Sequence, residues 1–473
     1  MKTLIQNGTL VTAAETFAAD LLFDGEQIAQ IGSGLRADDA QRVDATGLYI
    51  LPGALDVHTH LHLPGPAATP SDDFYTGHKA AAFGGTTFTI DFAMPARGER
   101  LHAAVERWQT AAQGKAVIDY GLHVGIVSLD NAVLDELPAL AAEGLPSLKL
   151  LMAYKGIVQV DDTTLFKTLL KAADHGMLTM VHAENGDAID ELRRRAVAAG
   201  RLTSEWHALT RPAWLEGEAT LRAIALAAAA GAPLYVVHVT CAPAVEQIAY
   251  GRARGLNVMG ETCVQYFFFT QDHLRRPDGA KWVCSPPFRS PADQAALWQA
   301  VRAGTLQVIS TDHCPFLYDG TRAIQYEGQP YQAPGKELGR ADFTQTPNGV
   351  PGLGDRMPIL WTFGVGAGHL SLNQLVALCC TNPAKLFGLY PRKGTLAVGA
   401  DADVVLWDPR KTRVVEAANL QQRVDYNLYE GWTLTGLPDK VYRRGELIVD
   451  GDRWLGRLGS GRFTRRAAHA PLL

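Results

Sequence analysis

The 473-residue chain has little cysteine, little net charge and no long uninterrupted apolar run. Its six cysteines (Cys241, Cys263, Cys284, Cys314, Cys379, Cys380) are scattered and form no Cys-x-x-Cys pair. A disulfide framework is therefore not expected, and a reducing cytoplasm is the expected compartment. Lys and Arg number 44 against 49 Asp and Glu, a net charge of −5. That lacks the basic footprint of a nucleic-acid partner. The longest apolar run, 223–239, is broken by Gly231, Pro233 and His238. It is too short and too interrupted to span a membrane, so no membrane partner is expected. At the N-terminus, Met1-Lys2-Thr3-Leu4-Ile5 turns polar at Gln6-Asn7-Gly8, too soon for the apolar core of a signal peptide. What is present is ordinary: 47 % hydrophobic and 20 % charged residues, the composition of a globular protein with a large core.

The two ends of the chain share a style. Asn7-Gly8 and Asp24-Gly25 sit between apolar runs near the start, and Asp450-Gly451 follows one near the end. Asn-Gly and Asp-Gly are hairpin turn signals. Residues 1–52 and 391–455 are thus expected to form one small β-sandwich domain, split by everything between them. The middle, 53–390, alternates apolar runs with Ala- and Leu-rich helical stretches. Strands are expected at 49–57, 86–91, 120–127, 147–152, 177–181, 234–237, 256–260 and 306–310. Eight β-α units predict an α/β fold, a closed (β/α)8 TIM barrel, with its chemistry at the C-terminal strand ends. Segment 318–345, rich in Gly, Pro, Gln and Tyr, is a loop long enough to be functional or disordered. The Arg-bearing tail, 456–473, reads as a mobile or subunit-crossing arm. The glycines at 364–368 follow no strand with phosphate-loop spacing.

The polar residues at the strand ends carry the chemistry. The first strand closes on His58-Thr59-His60, and alternation puts both imidazoles on one face. Such a pair alone reads equally as packed histidines or as a metal grip. Further apolar runs close on His182, on His238 and on Asp312. Four imidazoles and a carboxylate at one rim suit a borderline divalent ion such as zinc. Lys149 lies inside the fourth apolar run. A buried lysine beside cations has a lowered pKa. It either snorkels or pairs with a carboxylate, or, as the neutral amine, takes up CO2 to become an anionic carbamate.

From Ile5 to about Arg457 the chain resembles the dihydropyrimidinase and D-hydantoinase group of cyclic amidohydrolases. The motifs are Gly53-Ala54-Leu55-Asp56-Val57-His58-Thr59-His60, Ser71-Asp72-Asp73-Phe74, Lys149-Leu150-Leu151-Met152-Ala153-Tyr154-Lys155, His182-Ala183-Glu184-Asn185, Val237-His238-Val239-Thr240, Cys284-Ser285-Pro286-Pro287-Phe288-Arg289, Thr311-Asp312-His313-Cys314-Pro315-Phe316 and Pro347-Asn348-Gly349. The resemblance implies a homotetramer of barrels, each with a binuclear metal site, usually zinc. It implies that His58 and His60 bind one ion, that His182 and His238 bind the other, and that Lys149, as its carbamate, bridges them. Asp312 would bind the first ion and shuttle the proton while a hydroxide held between the metals opens a small-molecule cyclic amide. Tyr154 would bind the developing oxyanion, and the main chain at Ser285 and Asn348 would bind the ring imide. Pro347-Asn348-Gly349 is also a turn signal in its own right.

Departures from the group bear on specificity. Relatives often carry aromatics two and nine residues after the bridging lysine, where this chain has Leu151 and Val158. The loop Leu61-His62-Leu63-Pro64-Gly65-Pro66 is small where relatives place a bulky residue. A roomier, less aromatic pocket is expected. Competing readings are an allantoinase, a dihydroorotase, a mononuclear deaminase that has no need of Lys149, and a non-enzymatic scaffold related to dihydropyrimidinase. The occupied ligand positions argue against the scaffold, and no arginine near the first histidine pair offers dihydroorotase its carboxylate contact.

Overall fold

Strands covered on both faces must be apolar throughout, and the middle of this chain supplies such runs. In the computed structural model, which describes residues 2–65 and 67–469, eight of them align in parallel and in chain order. They are Ala54–Thr59, Thr86–Ala93, Asp119–Gly125, Ser147–Leu151, Leu178–His182, Leu234–Val236, Val258–Cys263 and Val308–Ser310. Helices on the outside connect them. Asp130, Asp161, Asn185 and Ser290 begin four of these helices by accepting a backbone N–H from the first turn, the role that short polar side chains fill best. The expected eight-stranded α/β barrel is present.

Polar contacts close the barrel between its first and last strands. His60 N donates to His313 O at 2.8 Å. The fully buried Arg356 donates from one nitrogen to Leu55 O (2.8 Å) and Ile309 O (2.9 Å), one carbonyl from each strand. Its Nε lies 3.8 Å from Asp56 Oδ2.

Two expectations change. The single run at 49–57 is two strands. Tyr49–Pro52 pairs antiparallel with Val404–Val414 in the small domain, and Ala54–Thr59 begins the barrel. The break falls at Gly53, where a Cβ would sit 2.1 Å from Thr87 Oγ1. The tail is not a free arm over its described part. Residues 456–469 lie across the N-terminal end of the barrel, with Tyr120 N donating to Arg462 O and Thr464 N to Tyr120 O. Arg466 is buried there, 2.8 Å from Ser147 Oγ. Residues 470–473 lie outside the described residues, as do Met1 and Pro66.

The small domain draws on both chain ends, as expected. Its nine-stranded sheet branches at Lys2–Val11, which pairs in parallel with Ala40–Asp44 along one half and with Tyr49–Pro52 along the other. Ile5, Leu21, Phe23, Val404, Leu406 and Tyr442 fill its core. A buried charge cluster joins it to the barrel: Lys393 Nζ reaches Asp403 (2.7 Å), Asp119 (3.0 Å) and Asp401 (3.0 Å), and Arg444 also pairs with Asp119. Segment 318–345 is ordered by a hairpin, Ile324–Tyr326 with Gln329–Tyr331. Among the described residues, no helix is long and apolar enough to cross a membrane.

Replacing Arg356 with Met strands a buried carboxylate and two carbonyls, and should cost about 3–5 kcal/mol. Denaturant unfolding measures it, and a cost near zero would show that the seam holds without the guanidinium.

Candidate metal centre and active site

His58 and His60 leave the first barrel strand on the same face, while Thr59 between them turns away to Asp91. Asp312 follows the eighth strand and meets them across the seam. One carboxylate oxygen, Asp312 Oδ1, lies 3.1 Å from His58 Nε2 and 3.0 Å from His60 Nε2. The three donor atoms fall within 4.8 Å of one another. His182, at the end of the fifth strand, and His238, just past the sixth, stack edge to face at 4.6 Å, and His238 lies 5.4 Å from the His58 ring. Lys149, in the fourth strand, is buried with its Nζ 5.0 Å from the centre of the Phe92 ring. Residues from five strands thus converge on one end of the barrel.

Two carboxylates behind the histidines orient them, and the sequence reading assigned neither. Glu261 accepts a short hydrogen bond from His58 Nδ1, turning Nε2 toward Asp312, and is itself held by Tyr235 OH at 3.0 Å. Glu184 Oε2 takes His182 Nε2 at 2.7 Å and Arg211 Nη1 at 2.7 Å. Each histidine is left with one ring nitrogen for another partner, the usual arrangement behind a metal-binding imidazole. The signal for Glu261 was present. Val258-Met259-Gly260-Glu261 closes an apolar run on a carboxylate, as the eighth run closes on Asp312. The expected strand stopped at 260, whereas the real one continues to Cys263.

The electrostatics follow from burial and neighbours. Burial would lower the His58 imidazole, but Asp312 and Glu261 outweigh it and raise it to about 9. Burial would raise Asp312, yet His58 and His60 hold it well below the usual carboxylate range. Glu184 is held at about 2 by Arg211 and His182 against its burial. His238 is pushed well below its ordinary value by burial and by His182 and Lys149, so its imidazole is neutral. Burial draws the Lys149 amine down to about 8, with Asp312 and Glu261 opposing.

Tyr154 stands beside this group, its ring 5.3 Å from that of His182. Burial raises its phenol to about 12, so the hydroxyl keeps its proton. Ser285, on the loop after the seventh strand, is held by His207 Nε2 at 3.2 Å. Asn348 is half-buried on the neighbouring loop, which Gly349 N ties to Val283 O at 3.1 Å. Tyr154, His238 and Asp312 all have positive φ (70°, 40° and 51°). Non-glycine residues enter that region rarely, and such outliers cluster at functional sites. His313 turns away from the group: its Nε2 bonds Asp72 and its Nδ1 accepts from Gly352 N. A cleft of about 450 Å³ opens between loop 61–73 and segment 331–334, lined by none of the candidate ligands.

These donors fit divalent metal ions. Among the described residues, Nδ1 of His60 and of His238 is buried without a hydrogen-bond partner. A mixed imidazole and carboxylate set is the chemistry that zinc and its neighbours accept. Glu261→Gln removes the charge that orients His58 and should weaken metal retention about 10–100-fold. Competition with a chelator measures this, and unchanged retention would remove Glu261 from the account.

The site's geometry agrees with the similarity of the whole chain to known proteins. Residues 49–448 match the amidohydrolase family. The D-hydantoinase of Geobacillus stearothermophilus is 48 % identical over 476 residues, covering 100 % of this chain and 98 % of that protein. The D-hydantoinase of Rhizobium radiobacter is 44 % identical, covering 98 % and 99 %. The crystal structure of dihydropyrimidinase from Brevibacillus agri NCHU1002 superposes with a TM-score of 0.94 at 49 % identity, covering 99 % of this chain and 100 % of that one. Membership of this family implies a divalent metal site, and His58, His60 and Asp312 form a candidate metal-binding group. The chain belongs to the amidohydrolase family, within its D-hydantoinase and dihydropyrimidinase group.

Proposed function

We propose that the protein hydrolyses cyclic amides, opening 5,6-dihydropyrimidines or 5-monosubstituted hydantoins to N-carbamoyl amino acids. The observation that carries this is the convergence of four imidazoles, Asp312 and Lys149 beside a protonated Tyr154 at one end of the barrel. His58, His60 and Asp312 would hold one ion and His182 and His238 a second, with Lys149 shared between them as its carbamate. Zinc suits this donor set. When bound, such ions lower the pKa of water toward neutrality and polarise the ring carbonyl.

The side chains do the rest. The Lys149 amine, drawn down by burial, forms the carbamate by adding to CO2 and losing a proton. Asp312 takes a proton from the attacking water and returns one to the leaving ring nitrogen, as general base and then general acid. The Tyr154 hydroxyl donates to the carbonyl oxygen as negative charge grows on it. The main chain at Ser285 and Asn348 holds the ring imide. Leu151 and Val158 leave room beside the ring for its substituent. The six cysteines are free thiols, which suits a reducing cytoplasm. The assembly is a homotetramer, by resemblance to the group.

Purified protein made with zinc and bicarbonate should open dihydrouracil or 5-substituted hydantoins, and a chelator should abolish the turnover. Turnover confined to allantoin or dihydroorotate would replace the substrate class. Tyr154→Phe should lower kcat about a hundred- to a thousandfold with metal content unchanged; full activity in that variant would remove Tyr154 from the oxyanion role. Across hydantoins of growing substituent size the rate should hold, and a sharp loss beyond methyl would contradict the roomy pocket.

A further inference from the structure

The mechanism above uses nothing from segment 318–345, yet that segment carries a fully buried lysine. Lys336 is 0 % exposed. Its backbone is pinned on both sides: Lys336 N donates to Leu317 O at 2.7 Å, and the Glu337 carboxylate accepts from the amides of Gly320 and Gly335. The side chain crosses to two other loops. Nζ donates to Val283 O at 2.8 Å and to Pro347 O at 3.0 Å. Its titratable neighbours include the Cys284 and Cys314 thiols and the His207 imidazole, and among the described residues no carboxylate pairs with it. Burial accordingly draws the amine down to about 7. A buried amine without a counter-charge costs stability that a packed aliphatic side chain would not.

The two acceptors show what the amine does. Val283 stands two residues before Ser285, and its carbonyl also receives Gly349 N at 3.1 Å. The Pro347 carbonyl belongs to the same peptide group as the Asn348 N–H. A donor on that oxygen withdraws charge from the peptide and makes the N–H a stronger donor, as in any hydrogen-bonded chain. On the other side of the Ser285 loop, His207 Nε2 donates to Cys284 O at 2.9 Å. The Ser285 and Asn348 loops are therefore gripped from behind by one amine.

We propose that Lys336 is a positioning residue for ring opening: its amine locks the Ser285 and Asn348 loops into one imide-binding cradle and polarises the Asn348 amide. This rests on the cyclic-imide reading above.

Lys336→Met and Lys336→Gln, beside the wild-type protein, test it through steady-state kinetics on hydantoin and dihydrouracil, with metal content and thermal unfolding measured on the same samples. A folded Lys336→Met variant with wild-type metal content should show KM raised about tenfold, the upper end of one ordinary hydrogen bond's worth, and kcat changed by less than about twofold. Lys336→Gln keeps N–H donors on a shorter stem and should fall between the two. It carries the test if the Met variant does not fold. Wild-type KM in either folded variant overturns the proposal, and so does a loss fully explained by lost metal. Failure of the wild-type protein to open any cyclic imide would overturn the substrate reading, and this proposal with it.

Discussion

The site depends on the closure of the barrel between its first and last strands. His58 and His60 belong to one side of that seam and Asp312 to the other, so a shared carboxylate oxygen exists only when the seam is shut. The closing contacts are polar: Arg356 spans two carbonyls, and His60 N bonds His313 O. They lie within the same few residues as the candidate ligands. The strain at Asp312, with φ of 51°, is held by a seam that is bonded on both flanks.

Charge explains why so many polar groups tolerate one buried end. Carboxylates and imidazoles alternate there. Glu261 backs His58, Asp312 faces His58 and His60, and Glu184 links His182 to Arg211. Asp312 and Glu184 are kept ionised by their neighbours rather than by water. Burial drives Lys149, His182 and His238 toward their neutral forms.

The chain shows its fold because the barrel strands are buried on both faces and so stay apolar along their length. The histidines are legible because each interrupts such a run at its end. Less was visible where tertiary contact decides. Residues 49–57 read as one strand, since only the approach of Thr87 to Gly53 reveals that the chain changes sheets there. The tail reads as a mobile or subunit-crossing arm, and the burial of Arg466 against Ser147 has no local signature. Glu261 was hidden by a strand end placed at a glycine. Lys336, in a loop of low apolar content, gives no sign of its position behind two other loops.

Lys149 is proposed to join four imidazoles and Asp312 in a single binuclear site. Elemental analysis of metal bound per chain, for wild-type protein and for Lys149→Ala made alike with zinc and bicarbonate, tests it most directly. The account predicts two ions per wild-type chain and the loss of at least one in the variant. Two ions retained in both proteins would contradict it.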